Sequence, residues 1–183
     1  MSADLLDKLR KKMEDTTTSL KRDLDSISTG RANPNLLDAI RVEIYGSQMP
    51  ISQLANISAS DSSTLNIQAW DRESLKPIEK AIIAGNLGFT PIVDGNLIRI
   101  SIPKLSEERR KELVKLAKKY GEEKKVALRN VRRDILDDFK KLEKEFGKDQ
   151  IQGFCDLVQK TTDDFVKKLD DMISQKEKEL MKI

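Results

Sequence analysis

The chain has 183 residues, of which 38% are hydrophobic, 36% charged and only 4% aromatic. Charge well above the usual quarter, with so few aromatics, describes an elongated helical protein with a thin core and argues against a deep, dry catalytic cavity. Histidine is absent and Cys155 is the only cysteine, which excludes His general bases, Ser-His-Asp triads, His/Cys metal sites and disulfide frameworks.

From its start, MSADLLDKLRKKMED, the chain reads as a charged amphipathic helix, without the apolar core of a signal peptide or the acid-poor bias of a transit peptide. No run approaches the roughly 20 apolar residues that cross a bilayer. With a lone cysteine, these features predict a soluble protein of a reducing compartment, the cytoplasm. Leu6, Leu9, Met13, Leu20, Leu24 and Ile27, with Thr17 filling the gap, step by threes and fours and predict one buried helical stripe. Gly30 supplies the stop and Pro34 blocks continuation.

From Asn35 to Ile102 the texture changes. Ile40, Val42 and Ile44 alternate with Arg41, Glu43 and Tyr45 as on a half-buried strand, and Leu65, Ile67 and Ala69 alternate likewise with Asn66, Gln68 and Trp70. The turn-rich stretch between them suits one or two more strands. Ser74 is expected to cap a short helix in which Leu75, Ile78, Ile82 and Ile83 share a face, with Pro77 in its first turn and Gly85 and Gly88 at its end. A hairpin follows, PIVDGNLIRISI, with Asp94-Gly95 as the tight turn. Trp70, the only indole, is expected to pack between sheet and helix.

Beyond Pro103, Ser106 followed by Glu107 and Glu108 marks a helix start. Leu113, Leu116, Tyr120, Ala127, Val131, Ile135, Phe139, Leu142 and Phe146 then keep near-heptad spacing, predicting a rod of about 60 Å that Gly147 breaks. A last helix is expected to bury Ile151, Phe154, Val158, Thr161, Phe165, Leu169, Met172 and Leu180. Such stripes must be covered by other helices. The reading is therefore an α+β protein: an elongated three-helix bundle, residues 1–30 and 105–183, with a small α+β domain, residues 31–104, inserted between the first two helices. Two chain crossings predict a small domain that swings as a unit.

Charge is unevenly spread. Residues 1–104 are balanced, whereas Arg109 to Arg133 holds eleven Lys/Arg against Glu112, Glu122 and Glu123. Lys111, Lys115, Lys118, Lys125, Arg129 and Arg132 recur at helical spacing and are expected to line one side of the rod, away from the apolar stripe. Ordinary charge runs are solvated faces laced with ion pairs, and this stretch lacks the alternating acids that reading needs. A cationic strip of this kind suits the phosphates of structured RNA, read by shape and backbone rather than by stacking.

Other features read as structural. Asp163, Asp164, Asp170 and Asp171 lie beside Lys160, Lys167 and Lys168 and suit solvated ion pairing rather than a metal or an acid/base pair. Gly85-Asn86-Leu87-Gly88 suits a helix cap rather than a phosphate loop. Cys155 suits a core-edge thiol. The chain is thus expected to be no enzyme and to hold no cofactor or metal.

The motifs GRANPNLLD at 30–38, VEIYGSQMPISQLA at 42–55, the hairpin at 94–100, LSEERRKELVKLAKKYGEEKKVALRNVRRD at 105–134 and the terminal KEKELMKI resemble the ribosome recycling factor family over essentially the whole chain. The resemblance implies an L-shaped protein that occupies the post-termination ribosome. There, with elongation factor G and GTP hydrolysis on that partner, the family splits the subunits so that mRNA and deacylated tRNA leave. It implies that Arg110, Arg129 and Arg132, Arg132 foremost, face large-subunit ribosomal RNA. The full expected set adds Lys111, Lys115, Lys118, Lys125 and Arg133. The implied hinge comprises Gly30, Arg31, Ala32, Asn33 and Pro34 on one crossing and Ile102, Pro103, Lys104 and Leu105 on the other.

Two departures from the family pattern stand out. This chain reads Ser60-Asp61-Ser62-Ser63-Thr64 where the family usually has Pro-Asp-x-Arg-Thr, and Ile135-Leu136 where it has small polar residues. The rival reading, a structural or co-chaperone coiled-coil protein, predicts a dimer held through the apolar stripes, whereas a self-contained bundle predicts a monomer.

Overall fold

A computed structural model of the chain describes residues 2–182. They fall into two compact units, one made of the residues up to Leu24 with those from Lys111 on, the other of Asp25–Arg110. The first holds most of α1 (Ser2–Asp25), most of α3 (Glu107–Lys140) and all of α4 (Lys148–Met181). In α1 the predicted stripe is buried at Leu9, Met13, Leu20 and Leu24, whereas Leu6 is half-buried and Ile27 lies beyond the helix end; the Thr17 hydroxyl donates to the Met13 carbonyl at 3.0 Å. That bond satisfies the only polar group in the stripe.

Ion pairs report the register of the bundle. Lys8 meets Asp138 and Lys124 meets Asp23, so α1 and α3 are antiparallel; Lys118 meets Glu177 and Lys125 meets Asp170, so α3 and α4 are antiparallel too. Helix α3 ends at Lys140 rather than at Phe146. Its 34 residues give about 51 Å. The apolar spacing continues past the helix end because Leu142 and Phe146 of the turn are half-buried: Phe146 folds back onto Phe139, ring centroids 5.4 Å apart, and Phe139 stacks on Phe154 at 3.9 Å. Gly147 does not break α3; in extended conformation it is the N-cap of α4. The buried face of α3 is also rotated from the expected one. Ala117, Gly121 and Leu128 are buried with Leu113, Ile135 and Phe139, whereas Tyr120, Ala127 and Val131 are half-buried. Small residues hid this face, since Ala and Gly carry little weight in an apolar pattern. On α4, Ile173 and even Lys176 are buried, while Ile151, Phe165 and Met172 are half-buried.

In the second unit, β1 (Arg41–Ile44) and β2 (Ser47–Pro50) form a hairpin, and β3 (Ala55–Ala59), β4 (Thr64–Ala69), β5 (Pro91–Asp94) and β6 (Leu97–Ser101) form an antiparallel sheet in the order β3-β4-β6-β5. Register pairs Leu65 with Ile100 and Ile67 with Ile98, all buried beneath α2 (Leu75–Ala84) and its Leu75, Ile78 and Ile82. Four expectations fail here. Ile83 is exposed, because Ile82 already occupies the inward position one turn after Ile78. Trp70 is 67% exposed: with Leu65, Ile67 and Ala69 inward, the two-residue period turns it outward, away from the helix. Ser74 is buried and makes no side-chain cap; Asp71 accepts from the Glu73 N–H instead, capping a 3-10 turn that leads into α2. The hairpin turn is Gly95-Asn96, since Asp94 pairs with Leu97 and only Gly95 has a positive φ, +61°.

Candidate nucleic-acid interface

The basic strip of α3 divides into two parts. Lys118 and Lys125 reach α4: Lys118 lies 3.6 Å from Glu177, and Lys125, its side chain 18% exposed, sits between Asp170 and Glu122. Its bond to Asp170, helped by Glu122, holds the Lys125 ammonium above its ordinary range. The strip therefore runs beside the α3–α4 seam rather than on the far side of the rod. Lys111 and Lys115 are exposed. One turn beyond Lys125 the company changes. Arg132 donates to Gln159 Oε1 at 2.8 Å and Arg133 to Asn130 Oδ1 at 3.0 Å, both neutral acceptors. Among the described residues no carboxylate lies within 4 Å of Arg129, Arg132 or Arg133. Amide acceptors fix a guanidinium plane without cancelling its charge, which leaves these groups set for bidentate contact with phosphate.

Beside these arginines lies an open cleft of about 590 Å³. Leu136, Ile151 and Cys155 form its apolar part over the buried ring of Phe139, and Asp137 and Glu143 stand in its wall. Sequence reasoning missed this recess. The arginines were visible, but the turn after Lys140 and the register of α4, which bring Ile151 and Cys155 opposite Leu136, were not. Asn130 could have been found as the i−3 neighbour of Arg133; Gln159 could not.

Arg110, on the first turn of α3, is half-buried and belongs to the second unit. The residues expected to bend are in that unit too. Gly30 adopts φ +74°, and a Cβ there would meet Leu105 Cγ at 3.2 Å. The Ala32 N–H donates to the Ser62 carbonyl at 2.8 Å and the Ile102 N–H to that of Ser63 at 2.7 Å, while Asn33 caps the 3-10 turn that begins at Pro34. Ser63 closes a tight loop onto Asp61, donating both its N–H and its hydroxyl to Oδ1. The N–H bond above all holds Asp61 below the usual carboxylate range. Arg31, Pro103 and Lys104 are exposed. Of the four aspartates weighed for metal or acid/base chemistry, Asp170 pairs with Lys125 and Asp163 accepts from Gln159 Nε2 at 2.8 Å. No group of three acidic or cysteine side chains is gathered for a metal among the described residues. None of their helices is long and apolar enough to cross a membrane.

A helical bundle with an arginine cluster that forms no ion pair among the described residues, carrying a small α+β unit between its first two helices, defines a class of factor suited to a polyanion. Known proteins narrow that class. Residues 20–181 match the family described as ribosome recycling factor. The ribosome-recycling factor of Bacillus subtilis is 49% identical over the full length of both chains, and that of Rickettsia felis is 50% identical over 96% of this chain and 95% of that protein. A solution structure of ribosome recycling factor superposes with TM-score 0.81 at 37% identity, covering 100% of this chain and 98% of the other. A structure of T. thermophilus ribosome recycling factor, with E. coli elongation factor G bound to the E. coli post-termination complex, gives TM-score 0.70 at 42% identity, covering 99% of each chain. The chain belongs to the ribosome recycling factor family and is a translation factor acting in ribosome recycling.

Proposed function

We propose that this protein binds the post-termination ribosome through large-subunit ribosomal RNA and, with elongation factor G and GTP, promotes subunit splitting and release of mRNA and deacylated tRNA. GTP is bound and hydrolysed by that partner; the factor performs no bond chemistry and works as a monomer in the cytoplasm. The observation that carries the binding half is the trio Arg129, Arg132 and Arg133, unmet by carboxylates within 4 Å, with Arg132 and Arg133 oriented by amide acceptors. Elongation factor G beside a 42% identical relative on a post-termination complex supports the rest.

Two domains and a double connection suit a mechanical device in which the bundle anchors and the small domain is driven. Ala32, Asn33 and Ile102 are fastened into the small unit, so we place the turning points at Gly30-Arg31 and Pro103 to Leu105. The deciding experiment adds purified protein, elongation factor G and GTP to post-termination ribosomes and follows light scattering. Free subunits should accumulate only when all three are present. Intact ribosomes after that addition refute the reading.

A further inference from the structure

We infer that the cleft beside Arg129, Arg132 and Arg133 receives an unstacked nucleobase of RNA, with the flanking phosphates on those arginines. This rests on the RNA-binding reading above and deepens it, from a face that tracks phosphates to one that also takes a base.

The chemistry of rim and floor differs in a way phosphates alone do not require. A phosphate strip needs charge, and the exposed side of an α-helix already provides it. Here the arginines stand over a recess of about 590 Å³, inside the range of small-molecule sites. Leu136, Ile151 and Cys155 make it apolar, and a phosphate cannot enter such a floor without losing its hydration. A base can: its faces pack on apolar side chains and on guanidinium planes, and splayed-out bases are what proteins read on RNA. The planes of Arg132 and Arg133 are already set by Gln159 and Asn130. The lining, which also holds Lys140, includes the carboxylates of Asp137 and Glu143. Toward a base they are acceptors for an exocyclic amino group, which favours an amino-bearing base.

The only thiol of the chain, Cys155, lines the recess and reports on it. The test measures alkylation of Cys155 by iodoacetamide in the full-length protein, with single-stranded oligocytidylate or with a duplex of the same length at equal phosphate concentration. The single strand should slow alkylation about fivefold or more relative to the duplex, because only it offers a free base. Equal slowing by both, or none by the single strand, overturns the inference. As a second arm, Cys155→Phe fills the recess and leaves every arginine in place. Its affinity for large ribosomal subunits should fall about tenfold with the salt slope unchanged. Unchanged affinity overturns the inference, and if the variant does not fold, the alkylation arm on the natural protein still decides. Failure of the underlying reading looks different: the natural protein would bind large subunits with no salt slope at all.

Discussion

Lys118 and Lys125, in the part of α3 up to Lys125, meet carboxylates of α4, whereas Arg129, Arg132 and Arg133, in the part beyond it, meet none among the described residues. Both parts are rich in cations, so density of charge does not separate them. Spacing and register do. At Gly121 the helices approach so closely that a Cβ would lie 2.8 Å from Ile173 Cγ1, inside that side chain. Acids of α4 then reach the lysines on either side. Toward the other end the stacked rings of Phe139 and Phe154 fill the seam, and register sets a neutral Gln159 against Arg132. Bulk where two helices meet sets their separation. One part of α3 thus carries lysines matched by acids of α4, and the other is an open, anion-seeking face.

The sharpest way to break that contrast is to remove each set of charges. Replacing Arg129, Arg132 and Arg133 by Gln should weaken large-subunit binding at least about a hundredfold, since each charged hydrogen bond is worth about 1.5–3 kcal/mol. The slope of log affinity against log salt should drop by about 0.7 to 0.9 for each phosphate that the protein no longer neutralises. Replacing Lys118 and Lys125 by Gln should cost about threefold or less, because their charges are already matched. Filter binding across a salt series measures both. Equal weakening from the two sets would show that the ion pairs of α3 do not decide which residues bind.

Stability should respond at the other part. Gly121→Ala forces Ile173 aside in a closely packed seam and is expected to lower stability by about 1–3 kcal/mol, seen as an earlier thermal transition. Unchanged melting would mean that the helices are free to separate there. Between these extremes, Gln159→Glu gives Arg132 the carboxylate it lacks and makes the second part resemble the first. Binding should weaken about tenfold with little change in melting temperature, the reverse of the pattern for Gly121→Ala.

How much of this contrast the sequence disclosed follows from what each residue type announces. The stripe of α1, the strands around Val42 and Ile67, and the polarity of the Arg109 to Arg133 stretch rest on local period and composition, which are legible without a partner. Gly121, buried against Ile173 of α4, and Ala117, also buried, carry little weight in an apolar pattern, so periodicity places the face of α3 about one position off. Leu142 and Phe146 keep the helical period beyond the helix because an aromatic stack closes the turn. Which cations stay open depends on whether α4 presents Asp170 or Gln159 opposite them. That is a fact of register between elements far apart in the chain, which no window along one helix contains.

The smallest effect concerns the carboxylate of Asp138, which stands close in sequence to the open arginines yet does not neutralise them. Its oxygens accept from Lys8 of α1 at 2.9 Å and from Lys141 at 3.0 Å, and these bonds bring its pKa down to about 2. A carboxylate whose pKa is depressed in the folded state adds stability above the ordinary carboxylate range. That contribution is lost as pH falls from about 4 through about 2, where Asp138 protonates even when folded. Thermal melting of the natural protein should therefore shift down across that interval, and Asp138→Asn should show a shallower fall there with a slightly lower transition at neutral pH. Because Asp138 is turned toward α1, the same variant should leave large-subunit affinity and its salt slope unchanged; a tighter, more salt-sensitive complex would show that this carboxylate screens the arginines after all.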